Sequence, residues 1–88
     1  MSESLRIYKW LWHARFCKTR PIAQAMARAG RVRVNGLRIE KASALVKPGD
    51  ILTLTAGGKI EVLRVLGLGE RRGPATEARA LYEFVEDA

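Results

Sequence analysis

The stretch that most constrains the fold is Arg31-Val32-Arg33-Val34-Asn35-Gly36-Leu37-Arg38-Ile39-Glu40. Asn-Gly between two alternating runs reads as a two-residue hairpin. A type I′ turn needs positive φ at both central residues, and these two residue types tolerate it. The turn sets the register: Val34 faces Leu37, Arg33 faces Arg38, and Val32 faces Ile39. One face of the ribbon is wholly apolar and is expected to pack on helices. The other sets Arg33 against Arg38, an unfavourable pair unless an anion relieves it.

Two helices are expected before the hairpin. Over residues 5–16, Ile7, Trp10, Leu11 and Ala14 cluster within about a third of the circumference at 100° per residue. Arg6, Lys9 and His13 share another arc, flanked by Trp12 and Phe16. Thr19 reads as the N-cap of a second helix, with Pro21 tolerated in its first turn. Ile22, Ala25, Met26 and Ala29 are expected to form its buried stripe, and Arg20, Gln24 and Arg28 an exposed ridge. Gly30 stops it. After the hairpin, Lys47-Pro48-Gly49-Asp50 reads as a turn into a strand at Ile51–Thr55. Ala56-Gly57-Gly58 reverses the chain into a strand at about residues 59–66. A loop from Gly67 to Pro74 carries Arg71 and Arg72, residues 75–83 have helical composition, and Glu86-Asp87-Ala88 is expected to fray. The expected fold is α+β, with two N-terminal helices packed on a small antiparallel sheet and a short C-terminal helix. It is expected to form one domain over 1–88, with a core at about 5–55 and an extension at about 56–85.

Chemistry that would mark an enzyme is hard to assemble from these residues. With one His and one Cys in the chain, a zinc site of the usual type cannot be built from it alone. His13 reads as structural or facing a ligand rather than catalytic. Cys17 precedes Lys18, which would lower its pKa, but a small half-buried residue at a helix end is the simpler reading. The run Gly67-Leu68-Gly69-Glu70-Arg71-Arg72-Gly73 fails as a dinucleotide fingerprint, because Arg72 stands where the third glycine belongs. Gly57-Gly58-Lys59 is followed by Ile60 rather than Ser or Thr, so it is not a Walker loop. Glu77, Glu83, Glu86 and Asp87 read as a solvated surface. No catalytic residue, metal or cofactor is expected. No apolar run approaches the roughly 20 residues that span a bilayer. Together with a single Cys and no export signal, this points to a reducing, cytoplasmic setting.

The charge is more informative. The 88-residue chain carries 16 Lys and Arg against 9 Asp and Glu, a net of +7. Residues 1–50 hold eleven basic and three acidic side chains, a net of +8, while residues 51–88 hold five and six, a net of −1. No acid occurs between Glu3 and Glu40, whereas a solubilising face normally interleaves both signs. Arg6, Lys9, Arg15, Lys18, Arg20, Arg28, Arg31, Arg33, Arg38 and Lys41 are therefore expected to form one patch, with Gln24 as a neutral hydrogen-bonding member. Arginine outnumbers lysine among them, and its planar fork suits phosphate and base stacking. A nucleic acid is the expected partner. Trp12 and Phe16 either pack in the core, the simpler reading, or stack on an unpaired base.

Several segments are also recognisable together. Arg6-Ile7-x-Lys9-Trp10-Leu11-Trp12, Arg15-Phe16-x-Lys18-Thr19-Arg20, Ala23, Gly30-x-Val32-x-Val34-Asn35-Gly36, Lys41-x-Ser43 and Pro48-Gly49-Asp50 resemble the RNA-binding domain first known from ribosomal small-subunit protein four. Trp10-Leu11-Trp12, combined with Arg72-x-Pro74-Ala75-Thr76-Glu77-Ala78 and Leu81-Tyr82-Glu83, resembles the bacterial heat-shock protein 15 family over nearly the whole chain. The resemblance implies an αL-type motif presenting a basic face to structured RNA. It further implies binding to ribosomal RNA of the large subunit, in a stress-linked rescue of stalled subunits that still carry tRNA. Carried over position by position, the RNA-facing residues are Arg6, Lys9, Arg15, Lys18, Thr19, Arg20, Gln24, Arg31, Arg33, Asn35 and Lys41. Tyr8 stands where the family usually has Asp, and Ala42 where it has Pro. Longer members continue in a basic tail where this sequence stops at Asp87-Ala88, so any ribosome contact made by that tail is expected to be missing.

Two rival readings follow. One is an accessory RNA-binding domain of an RNA-modifying enzyme. The other is a general nucleic-acid binder with helix-turn-helix character and at least weak affinity for duplex DNA, although the expected interhelical turn, Cys17-Lys18, lacks the usual glycine. A membrane partner is not expected.

Overall fold

The structure is a computed structural model that describes residues 3–85, so the expected fraying at Glu86-Asp87-Ala88 falls outside the described residues. The chain runs β1 (Leu5–Arg6), α1 (Ile7–His13), α2 (Arg20–Arg28), β2 (Val32–Val34), β3 (Leu37–Arg38), β4 (Leu45–Val46), β5 (Ile51–Ala56), β6 (Lys59–Val65), α3 (Ala75–Arg79) and β7 (Tyr82–Phe84). One sheet has five antiparallel strands in the order β3-β2-β5-β6-β7, and β1 and β4 form a separate two-stranded ribbon. No helix of the described residues is long and apolar enough to cross a membrane.

The hairpin has the expected register: Arg33 pairs with Arg38, Val34 with Leu37, and the Ile39 N–H reaches the Val32 carbonyl at 3.1 Å. Asn35 and Gly36 have φ of 52° and 83°, as a type I′ turn requires. Its inner face is only partly covered, however. Val32 is buried, but Leu37 at the ribbon's free edge is 74% exposed, because β3 is an edge strand with nothing beyond it.

The first two helices end in the same way. In α2 the Gly30 N–H bonds the Ala27 carbonyl at 3.1 Å and the Arg31 N–H bonds that of Met26 at 3.3 Å, with Gly30 at φ 74°. This is a Schellman motif. In α1 the Arg15 and Phe16 N–H groups bond the carbonyls of Trp12 and Leu11 at 3.2 and 3.0 Å, with Arg15 at φ 64°. The expected helix over 5–16 is therefore shorter at both ends. Its first two residues pair with β4, and a left-handed arginine stops it three residues early.

The core brings α1 and α2 onto one face of the sheet. Ile7, Trp10 and Leu11 of α1 and Ala23 and Ala27 of α2 meet Val32, Leu52, Leu54, Leu63 and Val65. Each fully buried large side chain contributes roughly 1.5–3 kcal/mol. Thr19 caps α2 as expected, its Oγ1 accepting from the Ile22 N–H at 3.2 Å. The expected α2 stripe is corrected. Ala23 and Ala27 are the buried positions and Met26 is half-buried, while Ile22 is 51% exposed and Ala25 and Ala29 face outward. Small residues let α2 approach α1 closely, so the contact selects the alanines rather than the bulkiest apolar side chain. The expected helix over 75–83 is also corrected. Only Ala75–Arg79 is helical, and Tyr82–Phe84 adds a strand beside β6. Burying Tyr82 against Trp10 and Phe16 outweighs local helix propensity.

Candidate nucleic-acid interface

Arg20, Gln24 and Arg28 lie one turn apart along α2 and form a single row. Beside this row, α1 contributes Arg6 at its N-cap, then Lys9 and Trp12. The result is a seam with two grooves in line. The first, about 600 Å³, is lined by Lys9, Trp12, His13, Arg20, Glu70 and Arg71. The second, about 510 Å³, is lined by Arg6, Tyr8, Gln24, Arg28, Glu40 and Lys41, with Ser43 at its edge. Arg20 stacks on Trp12, its guanidinium carbon 5.0 Å from the ring centroid.

The electrostatics favour an anion along this seam. Among the described residues the ion pairs are Lys47–Asp50, Arg64–Glu83 and Arg71–Glu77. None involves a basic residue before position 47. Apart from Arg71, which Glu77 pairs, the cations of the seam are therefore uncompensated by direct pairing among the described residues, and the carboxylates that enter it, Glu40 and Glu70, are outnumbered in their grooves. Tyr8, Ser43 and Arg71 line the grooves without having been anticipated. The loop that carries Arg71 reaches α1 only through tertiary folding, which residue spacing does not encode.

Other expected contacts lie elsewhere. Arg38 and Arg33 project from the opposite face of the hairpin, and the Arg38 guanidinium lies across Gly30 at the C-terminal end of α2. That end is the negative pole of the helix, so it relieves part of the Arg33–Arg38 repulsion without a bound anion. Arg31 borders a groove on the far face of α2, beside Phe16, Ile22 and Met26. Arg15 turns away from the seam and donates from Nε to the Gly73 carbonyl at 2.7 Å. Lys18 is exposed in the interhelical turn, and the Thr19 hydroxyl caps α2. Asn35 is committed internally: Nδ2 donates to Asp50 at 3.1 Å and Oδ1 accepts from the Ile51 N–H at 2.9 Å. The basic residues are thus split over several surfaces, and the seam gathers Arg6, Lys9, Arg20, Gln24, Arg28 and Lys41.

The Gly67–Pro74 loop is pinned from α1 and the turn that follows it. Trp10 donates from Nε1 to the Gly67 carbonyl at 2.8 Å, and the buried His13 donates from Nδ1 to that of Leu68 at 3.1 Å. With Arg15 on Gly73, three side chains fix the first groove's outer wall. His13 is thus held by the loop, and its buried ring backs the groove. Cys17 is buried, and burial pushes its thiol up from its ordinary value. No group of three or more His, Cys, Asp or Glu residues that would hold a metal occurs among the described residues.

The S4 domain model matches residues 5–52. A heat shock protein 15 homolog of Haemophilus influenzae is 40% identical over 86 residues, covering 98% of this chain and 65% of the relative. Heat shock protein 15 of Escherichia coli is 44% identical over 79 residues, covering 90% of this chain and 59% of the relative. The chain thus spans about three-fifths of the length of these relatives. An RQC P-site tRNA stabilizing factor of Bacillus subtilis is 41% identical over 83 residues, with 94% of each chain covered. Among solved structures, a trimeric heat shock protein 15 of Vibrio cholerae superimposes with a TM-score of 0.87 at 38% identity, covering 94% of this chain and 83% of the other. The names of these relatives speak of heat shock and of tRNA, not of DNA.

Proposed function

The chain belongs to the S4-domain family as a relative of heat shock protein 15, and from that premise we infer that it is a non-catalytic RNA-binding module acting on the ribosome. Its partner is structured ribosomal RNA of the large subunit, and its setting is the recycling of stalled subunits under stress. The observation that carries this reading is the unpaired basic seam between α1 and α2. Phosphates lie along Arg6, Lys9, Arg20, Arg28 and Lys41, and Gln24 adds a neutral hydrogen bond. Two adjoining grooves on one helix pair suit an RNA backbone, because A-form RNA offers side chains shape and phosphates rather than readable major-groove edges.

The Bacillus factor, matched along almost the whole of both chains and named for P-site tRNA, supports tRNA as a second partner. Co-sedimentation with purified large subunits, vacant or carrying peptidyl-tRNA, tests both partners. Binding that is strongest to tRNA-bearing large subunits is the expected result, and equal retention by small subunits would overturn it. A salt titration tests the electrostatics. The log–log slope is expected to be several units, at about −0.7 to −0.9 per phosphate contact. An affinity that stays flat between roughly 50 and 200 mM salt would overturn the seam as the RNA surface. Duplex DNA at equal concentration is expected to compete weakly.

A further inference from the structure

Two tryptophans, two positions apart on the seven-residue α1, have different fates. Trp10 is fully buried, and its Nε1 is spent on the Gly67 carbonyl. Trp12 is half-buried, and its Nε1 has no partner among the described hydrogen bonds. Tyr8, Phe16 and Tyr82 are also half-buried, yet all three pack against the core cluster and Trp12 does not. Core packing therefore accounts for every other half-buried aromatic side chain, but not for this one.

Its surroundings suit a nucleotide. The Trp12 ring forms one wall of the groove of about 600 Å³, a volume within the range of small-ligand pockets. Lys9 and Arg20 supply positive charge beside the ring. His13, its ring tilted 43° to Trp12 with centroids 5.7 Å apart, backs the groove beside it and is held by Leu68. The outer wall at Gly69 is bare backbone, since φ is +73° there and a Cβ would come within 3.1 Å of Leu81. Glu70 on that wall repels phosphate, and its neighbour Arg71 is paired with Glu77 at 3.0 Å, so the phosphate lies toward Lys9 and Arg20.

The geometry points to the Trp12 groove as the seat of a single unpaired base, so that the preferred RNA is a duplex interrupted by an extrahelical nucleotide. This deepens the RNA-binding reading and rests on it. The second groove, with Arg6, Arg28 and Lys41, holds the flanking duplex backbone. In the free chain Arg20 covers the Trp12 face. A base takes that position and releases the guanidinium to the nucleotide's phosphate. The exchange is favourable because base–aromatic stacking exceeds an exposed cation–π contact.

Three RNA hairpins test it with the full chain: one with a single-nucleotide bulge, the same hairpin with an abasic ribose at the bulge, and a fully paired stem. Fluorescence anisotropy is expected to give about tenfold tighter binding to the bulge than to either control. Trp12→Leu is expected to bind all three alike, and Trp12→Phe to keep part of the preference. If the wild-type chain binds all three equally with a normal salt slope, the base seat is overturned and the RNA-binding reading stands. If it binds none of them in a salt-dependent way, both fall. A preference that survives in a folded Trp12→Leu chain also overturns the seat. Should that variant not fold, the wild-type abasic comparison and Trp12→Phe still decide.

Discussion

The Asn35 carboxamide donates from Nδ2 to Oδ1 of Asp50 at 3.1 Å, and so joins the hairpin turn to the turn that precedes β5. The Asp50 carboxylate also accepts from the Lys47 N–H at 3.0 Å and from Lys47 Nζ at 3.1 Å. Burial pushes this carboxyl up, but the Asn35 hydrogen bond, the Lys47 hydrogen bonds and the Lys47 charge together outweigh burial, leaving it below its ordinary value of 3.8. A lowered carboxyl in the folded state stabilises above the unfolded value and loses that contribution as pH falls through the folded one. Stability is therefore expected to drop below about pH 4 in the wild type. Asp50→Ala is expected to cost about 1–3 kcal/mol at neutral pH and to flatten the acid limb, as read by urea melts from pH 7 to pH 3.

Arg28 and Arg31 are three residues apart but face different grooves. Arg28→Ala is expected to weaken RNA binding and to reduce the salt slope by about one unit, the signature of a lost phosphate contact. Arg31→Ala, on the far face of α2, is expected to leave affinity within about twofold of wild type and the slope unchanged. Equal losses from both in an anisotropy titration would mean that the RNA wraps α2 rather than lying in the seam.

The hairpin was legible because a two-residue turn leaves one register available, and Thr19 and Gly30 marked the ends of α2 by residue type alone. The buried face of α2 was not. Ile22 and Met26 carry the apolar signal, whereas closeness to α1 depends on the absence of side chain at Ala23 and Ala27. β7 was hidden for a related reason, since Tyr82-Glu83-Phe84 becomes a strand only by pairing with β6 some twenty residues earlier. The basic character of the site was visible in the run from Arg6 to Arg38. Its division among surfaces was not, because it depends on where Arg15 and Asn35 spend their hydrogen bonds.

Trp10 combines full burial with a directed hydrogen bond to the Gly67 carbonyl. Trp10→Phe leaves that carbonyl without its donor and opens a void beside Phe16 and Tyr82. The expected cost is about 2–4 kcal/mol, read as a fall in Tm of roughly 4–8 °C per kcal/mol in a chain of this size.

Cys17 lies in the core with its thiol pushed up by burial, so little thiolate is present near neutral pH. Reaction with an aromatic disulfide reagent at about pH 8 is expected to be much slower than that of a free thiol, and to become fast once denaturant unfolds the chain. Rapid labelling of the native protein would show that the α1–α2 turn opens.

Arg15 and Gly30 occupy the same left-handed position in two Schellman motifs, with φ of 64° and 74°. Left-handed backbone costs a non-glycine residue about 1 kcal/mol. At Arg15 this cost is offset by the Nε bond to Gly73, which ties the end of α1 to the loop that walls the first groove. Arg15→Ala keeps the strain and loses the bond, so it is expected to destabilise by about 2 kcal/mol. Arg15→Gly loses the bond but also the strain, so it is expected to be about 1 kcal/mol more stable than the alanine variant, the reverse of the order found inside a helix. Denaturant melts of both variants decide this. If alanine is the more stable of the two, residue 15 is still helical in solution, and the helix runs on toward the end first expected for it.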